Sequence, residues 1–346
     1  MALHVIDFFS GCGGTSAGFQ AAGMDVLCGI DFDEKALATY AANIQKSVPI
    51  PADVRDLEPE DIRRNVDVPD SGLVVAACAP CQPFSKQNSK VYDSDKDERS
   101  DLIGELERFV LDFIPDYIVP ENVPGLEHHP QSPYSKFKVF LENLEYVCSG
   151  DVLNAADFGV AQFRKRLVMV ASRHGEFRLP SPTHGKDRKK YVSVNSVLDR
   201  FPPIKAGETH PNLPNHRSAK LHPRNLERIR ATPEGGDWRD WPEALRLNCH
   251  ANVNGYTDTY GRMDGDQPCR TLTTRCNSYS NGRFGHPTQD RAISGREAAA
   301  LQSFPDDFVF VGTLNDTARQ VGNAVPVLFA EAIGRAIVNH WDSVNG

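Results

Sequence analysis

The first 31 residues constrain the fold more than any other stretch. An apolar strand over 3–9 runs into a glycine-rich turn, Ser10-Gly11-Cys12-Gly13-Gly14. Thr15 to Ala22 reads as a helix stopped by Gly23, and Val26 to Ile30 as a second strand with Asp31 at its end. The same alternation continues. Helical patterns over 34–44, 101–113 and 134–144 are interleaved with apolar strands over 73–78, 116–119, 146–154 and 166–172. Strands alternating with helices predict an α/β fold built on a doubly wound, mostly parallel sheet.

After Arg173 the texture changes. Pro, Gly, Asn and His become frequent, and long periodic segments stop until 294–302, a good helix, and 326–341, an amphipathic one. This predicts a catalytic domain from 1–173 plus 291–346 and a smaller, loop-rich domain with short strands over 174–290. The charge is uneven as well. Residues 160–240 hold 17 Lys/Arg against 8 Asp/Glu, a net of +9 that leaves −17 for the rest of a chain totalling −8. Such asymmetry points to a polyanion partner for one part of the chain, against the plainer alternative of a solvated basic surface. No apolar run approaches the roughly 20 residues of a membrane span, and the N-terminus lacks a basic start or cleavage site. Eight scattered cysteines fit reduced thiols better than a disulfide framework. A cytoplasmic protein is expected.

Strand, glycine turn, helix, strand and acid is the plan of an adenosine-binding unit. The glycines let the backbone approach a ligand, and an acid 20 residues beyond Gly11 can accept both ribose hydroxyls. The dinucleotide fingerprint G-x-G-x-x-G is not met, because Ser16 stands in the third place. A pyrophosphate cofactor, and with it a nicotinamide oxidoreductase, is therefore disfavoured. An adenosyl group without phosphates fits better, and S-adenosylmethionine is the common one. The alternative is a glycine turn made only for helix–sheet packing. Asp53 is a candidate for the adenine amino group.

The strand over 73–78 delivers Ala79-Pro80-Cys81-Gln82-Pro83-Phe84-Ser85. A cysteine between two prolines just past a strand end has a fixed position, and the polar stretch Lys86 to Ser100 reads as a movable cover. This is the layout of a cysteine nucleophile. Cys78 and Cys81 form C-x-x-C, but a late strand of a large sheet is the wrong context for a thioredoxin-like motif. No second Cys or His pair supplies zinc spacing, so no metal is expected, and Cys78 reads as an inert core thiol. Glu121 follows strand 116–119 directly and can sit beside the thiol, although taken alone it reads more readily as a solvated loop glutamate. Arg164 and Arg166, two apart in an extended segment, are expected to point the same way and to clamp phosphates or a base edge.

With these pieces in order the chain resembles the cytosine-C5 methyltransferase family over most of the first 172 residues and again over roughly 268–340. Asp7-Phe8-Phe9-Ser10-Gly11-Cys12-Gly13-Gly14 looks like the family's cofactor loop, and Asp31-Phe32 like its ribose acid and adenine-stacking aromatic. Ala79 to Ser85 looks like its nucleophile motif, followed in the expected order by Asp97 to Leu102, Glu121-Asn122-Val123, Gln162 to Arg166, Arg296 to Pro305 and Arg319 to Val325. In 174–290 only Arg270-Thr271-Leu272-Thr273 resembles a family signature, that of the target-recognition domain.

The resemblance implies the fold of S-adenosylmethionine-dependent methyltransferases. It implies methyl transfer to C5 of a cytosine flipped out of a specific duplex DNA sequence, through a covalent Cys81–C6 intermediate. Glu121 and Arg166 would act on the base, with Arg164 positioning the nucleotide or the cover loop. Phe8, Ser10, Gly11, Gly13, Asp31, Phe32, Asp53, Val54, Pro80, Asn323 and Val325 would hold the cofactor, and Ser85, Arg99 and Thr271 would touch DNA. A monomer acting on double-stranded DNA in a bacterial nucleoid, beside a cognate restriction endonuclease, is the expected setting. A tRNA cytosine-C5 methyltransferase and a non-catalytic DNA-binding relative are the alternatives.

Overall fold

In a computed structural model the chain is described at residues 2–79, 102–126, 132–248 and 258–346. These residues divide into two compact units. Unit 1 comprises Met1–Ala155, Lys165–Pro182 and Val325–Gly346; unit 2 comprises Ala156–Arg164 and Thr183–Ala324.

Unit 1 is built on a seven-stranded sheet. Its strands are β1 (His4–Phe8), β2 (Asp25–Asp31), β3 (Val48–Pro51), β4 (Leu73–Ala77), β5 (Tyr117–Asn122), β6 (Val147–Asn154) and β7 (Lys165–Ser172). They lie in the order β3-β2-β1-β4-β5-β7-β6. The first five positions are parallel; β7 runs antiparallel to both β5 and β6. All five residues of β4, Leu73-Val74-Val75-Ala76-Ala77, are buried, as a strand covered on both faces requires. With four residues, two of them Pro49 and Pro51, β3 is too short to stand out as a strand in the sequence.

Period-two alternation sorts β1 between the two faces. Ile6 and Phe8 enter the core with Phe109 and Phe113 of α4 (Glu107–Phe113) and Phe137 and Leu141 of α5 (Pro133–Asn143). Asp7 points to the other side, where it accepts a hydrogen bond from Ser16 of α1 (Gly14–Ala21). There α1 packs on α10 (Val327–Asn345), and Gly18 lies so close to it that a Cβ would sit 2.5 Å from the Ala330 side chain. The helical run 314–345 is apolar and long enough to cross a membrane by composition. It is broken around Ala324–Pro326, however, and α10 buries its apolar side in the unit's interior. Between β2 and β3, α2 (Glu34–Asn43) is started by the Asp33 side chain, which accepts from the Lys35 and Ala36 amides, and the short α3 (Pro59–Arg63) follows β3.

Unit 2 differs from the expected set of short strands. Among its described residues in 174–290 there are isolated bridges, such as Arg262 with Gly285, and two short helices, α6 (Val194–Leu198) and α7 (Pro223–Arg230). Frequent Pro and Gly interrupt ladders, and buried arginines take over the satisfaction of backbone carbonyls. Arg262, for example, donates to the carbonyls of Ile229, Thr232, His286 and Gln289. Residues 291–324 also fall in this unit. Fully buried Arg291 makes a two-pronged bond to Glu297 of α8 (Gly295–Leu301), at 2.6 and 2.7 Å, and donates to the Ile204 carbonyl. Ser294 and Glu297 form a capping box at the start of that helix. The following α9 (Leu314–Asn323) carries a second capping box, Thr313 with Asp316.

Candidate active site

The strand order turns at β1, which has β2 on one side and β4 on the other. Ligands of doubly wound sheets bind at the carboxyl ends of the strands at such a switch point. The turn after β1 lies there. Gly11 has φ +53°, and a Cβ on it would meet nothing within 4 Å, so this face of the turn is open. Gly13, at φ +93°, has a different duty: a Cβ there would come within 2.8 Å of Ile44 and 3.0 Å of Tyr40. It is a packing glycine against the α2 region.

Asp31, at the end of β2, accepts from the Gly11 amide at 2.9 Å with one oxygen and from the Asp33 amide at 2.8 Å with the other. Burial raises its pKa, partly offset by these amide hydrogen bonds. Each oxygen retains a second lone pair. Phe32 beside it is 70% exposed. Ser10 donates its amide to the Ile30 carbonyl, while its buried hydroxyl has no hydrogen-bond partner among the described residues. An open glycine, a half-buried carboxylate, an exposed aromatic and an orphan hydroxyl fit an adenosyl ligand lacking phosphates.

Other expected cofactor contacts are placed differently. The Phe8 ring is wholly buried, its centroid 4.8 Å from that of Phe109, so its side chain is core and not pocket wall. Its neighbour Phe9, half-buried at φ +58°, stands at the turn instead. The signal for this was available in the pair itself, since two consecutive aromatics at a strand end cannot both face one core. The Asp53 carboxylate is already engaged: it caps the turn at 54–56 and binds the Arg55 guanidinium at 2.9 and 2.6 Å. The Arg55 hydrogen bond holds its pKa below the ordinary carboxylate range. Val54 is buried. Asn323 is exposed at the end of α9 in unit 2, and Val325 is buried in unit 1. Pro80, Cys81, Ser85 and Arg99 lie outside the described residues.

The second group of polar residues gathers where β4, β5 and β7 meet. Parallel pairing sets Ala77 opposite Pro120, so the next residues along, Cys78 and Glu121, are neighbours. Antiparallel pairing sets Glu121 opposite Val168, bringing Arg166 within reach. The Cys78 thiol donates to Glu121 Oε2 at 2.9 Å, and Arg166 Nε forms an ion pair with Oε1 at 2.8 Å. Glu121 is 8% exposed. Burial, then the charge and hydrogen bond of Glu121, push the Cys78 thiol well above its ordinary pKa. Cys78 is half-buried and hydrogen-bonded to the Glu121 carboxylate, where an inert core thiol was expected. Asn122 Nδ2 adds a second clasp, donating to the Ala79 carbonyl at 3.2 Å.

Arg164 departs from expectation. An argument from spacing two needs both arginines in one strand, and β7 begins at Lys165. Arg164 belongs to unit 2, is 2% exposed, and donates to the carbonyls of Leu272, Gly322 and Ala324 at 3.0–3.1 Å. It ties the 272 segment to the end of α9. Gln162 does similar work, accepting from the Leu272 amide and donating to Gln302. Thr271 is exposed, with its hydroxyl donating to the Phe163 carbonyl at 2.8 Å. Among the described residues no group of three or more His, Cys, Asp or Glu could hold a metal ion.

Comparison with known proteins agrees with this arrangement. The chain is 38% identical over 346 residues to the Type II methylase M.HgiDII of Herpetosiphon aurantiacus, covering 96% of this chain and 94% of that protein. It is 35% identical over 340 residues to the Type II methyltransferase M1.HphI of Haemophilus parahaemolyticus, covering 98% and 87%. A solved E. coli protein, assigned as a DNA modification methyltransferase encoded within a prophage, superposes with a TM-score of 0.74 at 25% identity, covering 99% of this chain and all of that one. The family model for C-5 cytosine-specific DNA methylases matches residues 3–339. With sheet, glycine turn and acid in place, the chain belongs to the C-5 cytosine-specific DNA methylase family and is a DNA methyltransferase of the restriction–modification type.

Proposed function

We propose that the protein transfers a methyl group to C5 of a cytosine turned out of a specific duplex sequence, with Cys81 as nucleophile and Glu121 and Arg166 as its partners. One observation carries this reading: Glu121 is buried and fixed between Arg166 and Cys78 at the carboxyl end of the central strands, and Cys78 lies three residues before Cys81 in the sequence.

Cytosine C5 is a poor nucleophile. As the Cys81 thiol gives up its proton and its sulfur bonds to C6, N3 takes up a proton through Glu121, and the ring becomes an enamine whose C5 is electron-rich. Arg166, whose side chain is only 13% exposed, would hold the base O2 and the negative charge that develops there. C5 then takes the methyl group. Loss of the C5 proton to a base expels the sulfur, and N3 returns its proton to Glu121. S-adenosylmethionine supplies, when bound, a methyl group made electrophilic by a sulfonium. Ser10, Gly11, Asp31 and Phe32 would hold it, with Asp31 on the ribose hydroxyls and Phe32 stacked on adenine. A base inside a duplex cannot reach the thiol, so it must leave the stack at a cost of a few kcal/mol. Contacts from the basic 174–290 region, including Thr271, to phosphates and groove edges would offset this.

The test is to incubate the protein with methyl-labelled S-adenosylmethionine and either unmethylated duplex DNA or tRNA, then digest to nucleosides. Label in 5-methylcytosine from DNA is expected. Label confined to tRNA, or none on either, would overturn the DNA reading.

A further inference from the structure

Glu121 is gripped at both carboxylate oxygens, and only one grip has a part in the chemistry above. Arg166 holds Oε1 at 2.8 Å; Cys78 holds Oε2 at 2.9 Å. The two are unequal. A guanidinium on a carboxylate is a charge pair between shielded groups, whereas a thiol is a weak donor. The contact follows from strand register, since Cys78 is the residue beyond the Ala77–Pro120 pair. Its amide continues the ladder by donating to the Phe8 carbonyl, and the Asn122 clasp on Ala79 fixes the next residue. The thiol therefore has little freedom except rotation about its own side chain.

We propose that Cys78 is a positioning residue for methyl transfer: its thiol keeps Glu121 Oε2 aimed while no base is present and yields that oxygen to the polar edge of the incoming cytosine. A weak donor suits both halves of this task. A hydroxyl would hold the oxygen by a shorter, stronger bond and compete with the base. A methyl group would leave a buried oxygen with one partner fewer and free to turn. No bond is made or broken at the Cys78 sulfur. The proposal rests on the role given to Glu121 above, and the experiment separates the two.

Cys78→Ala, Cys78→Ser, Glu121→Gln and the double variant Glu121→Gln/Cys78→Ala are compared in the full chain, with kcat and KM measured on amplified, unmethylated genomic DNA. Cys78→Ala is expected to lose about tenfold in kcat. Cys78→Ser is expected to keep kcat within about threefold of the parent while KM for DNA rises several-fold. Glu121→Gln should lose about a hundredfold or more, and adding Cys78→Ala should slow it no further, because both act at one point. The proposal is overturned if Cys78→Ala matches the parent, if Ala and Ser variants lose kcat alike, or if the double variant falls about tenfold below Glu121→Gln. Should Cys78→Ala fail to fold, the Ser variant decides: unchanged KM and kcat would overturn the proposal. A Glu121→Gln variant as fast as the parent would remove the role of Glu121 itself, a different failure.

Discussion

The Gly11 amide donates to the Asp31 carboxylate at 2.9 Å, so the acid proposed to hold the cofactor ribose also secures the glycine turn. Replacing Asp31 by Ala should therefore loosen the turn and remove the ribose contact together. Affinity for S-adenosylmethionine is expected to fall by about 10- to 100-fold, as for the loss of hydrogen bonds to a charged group. Isothermal titration checks this, and a parental affinity would show that the ribose is not held there.

Two of the aromatics expected at the cofactor give opposite predictions. Phe32 is 70% exposed, so Phe32→Ala should leave the melting temperature nearly unchanged while weakening cofactor binding about tenfold, the order of a lost stacking contact. Phe8 is wholly buried against Phe109, and Phe8→Ala should cost about 3–5 kcal/mol of stability. Denaturant melts and titrations on both variants separate a pocket residue from a core one.

Arg164 serves three backbone carbonyls from a buried position. Arg164→Met should destabilise the protein by about 3 kcal/mol or more through carbonyls left unsatisfied. Lost activity should then track lost folded protein, with KM for DNA of the remaining folded fraction near the parental value. A variant that folds normally but turns over slowly would return Arg164 to the catalytic group.

Asp7 sits beneath the glycine turn. Burial raises its pKa to about 7, opposed by the Ser16 hydrogen bond and reinforced by the Asp31 charge. The folded protein thus binds more protons here than the unfolded chain between the ordinary carboxylate value of about 4 and about 7, and Asp7 makes stability fall as pH rises through that window. The sign is opposite for His286, whose pKa burial lowers to about 4; it makes stability rise with pH between about 4 and 6.5. Asp7→Asn should leave the His286 rise alone and remove the Asp7 decline. Its stability relative to the parent should increase by on the order of 3–4 kcal/mol from pH 4 to pH 8, read from urea melts. A difference independent of pH would contradict this account.

The boundary between what sequence could and could not reveal is visible in these residues. Glycine turn, strand-end acids and apolar strands were legible because local patterns fix them, whereas Glu121 taken alone read more readily as a solvated loop glutamate and stood out only through the ordered series of motifs around it. Cys78 looked inert because its partner lies 43 residues away, brought close only by parallel register. The spacing argument for Arg164 and Arg166 loses its premise because a strand boundary at Lys165 breaks the alternation that it assumes. Unit 2 hid its organisation for a related reason. Side chains such as Arg262 and Arg291 bond to distant carbonyls there, and such bonds leave no periodic trace.

The central claim is a transient bond between one sulfur and a cytosine carbon, and 5-fluorocytosine tests it because fluorine at C5 cannot leave as a proton does. Duplex DNA with fluorinated cytosines, mixed with the protein and S-adenosylmethionine, should give an adduct stable to denaturing electrophoresis. A Cys81→Ala variant should give none, and Glu121→Gln should give it more slowly. An adduct formed as readily by Cys81→Ala, or methylated ordinary DNA from that variant at the parental rate, would contradict the account.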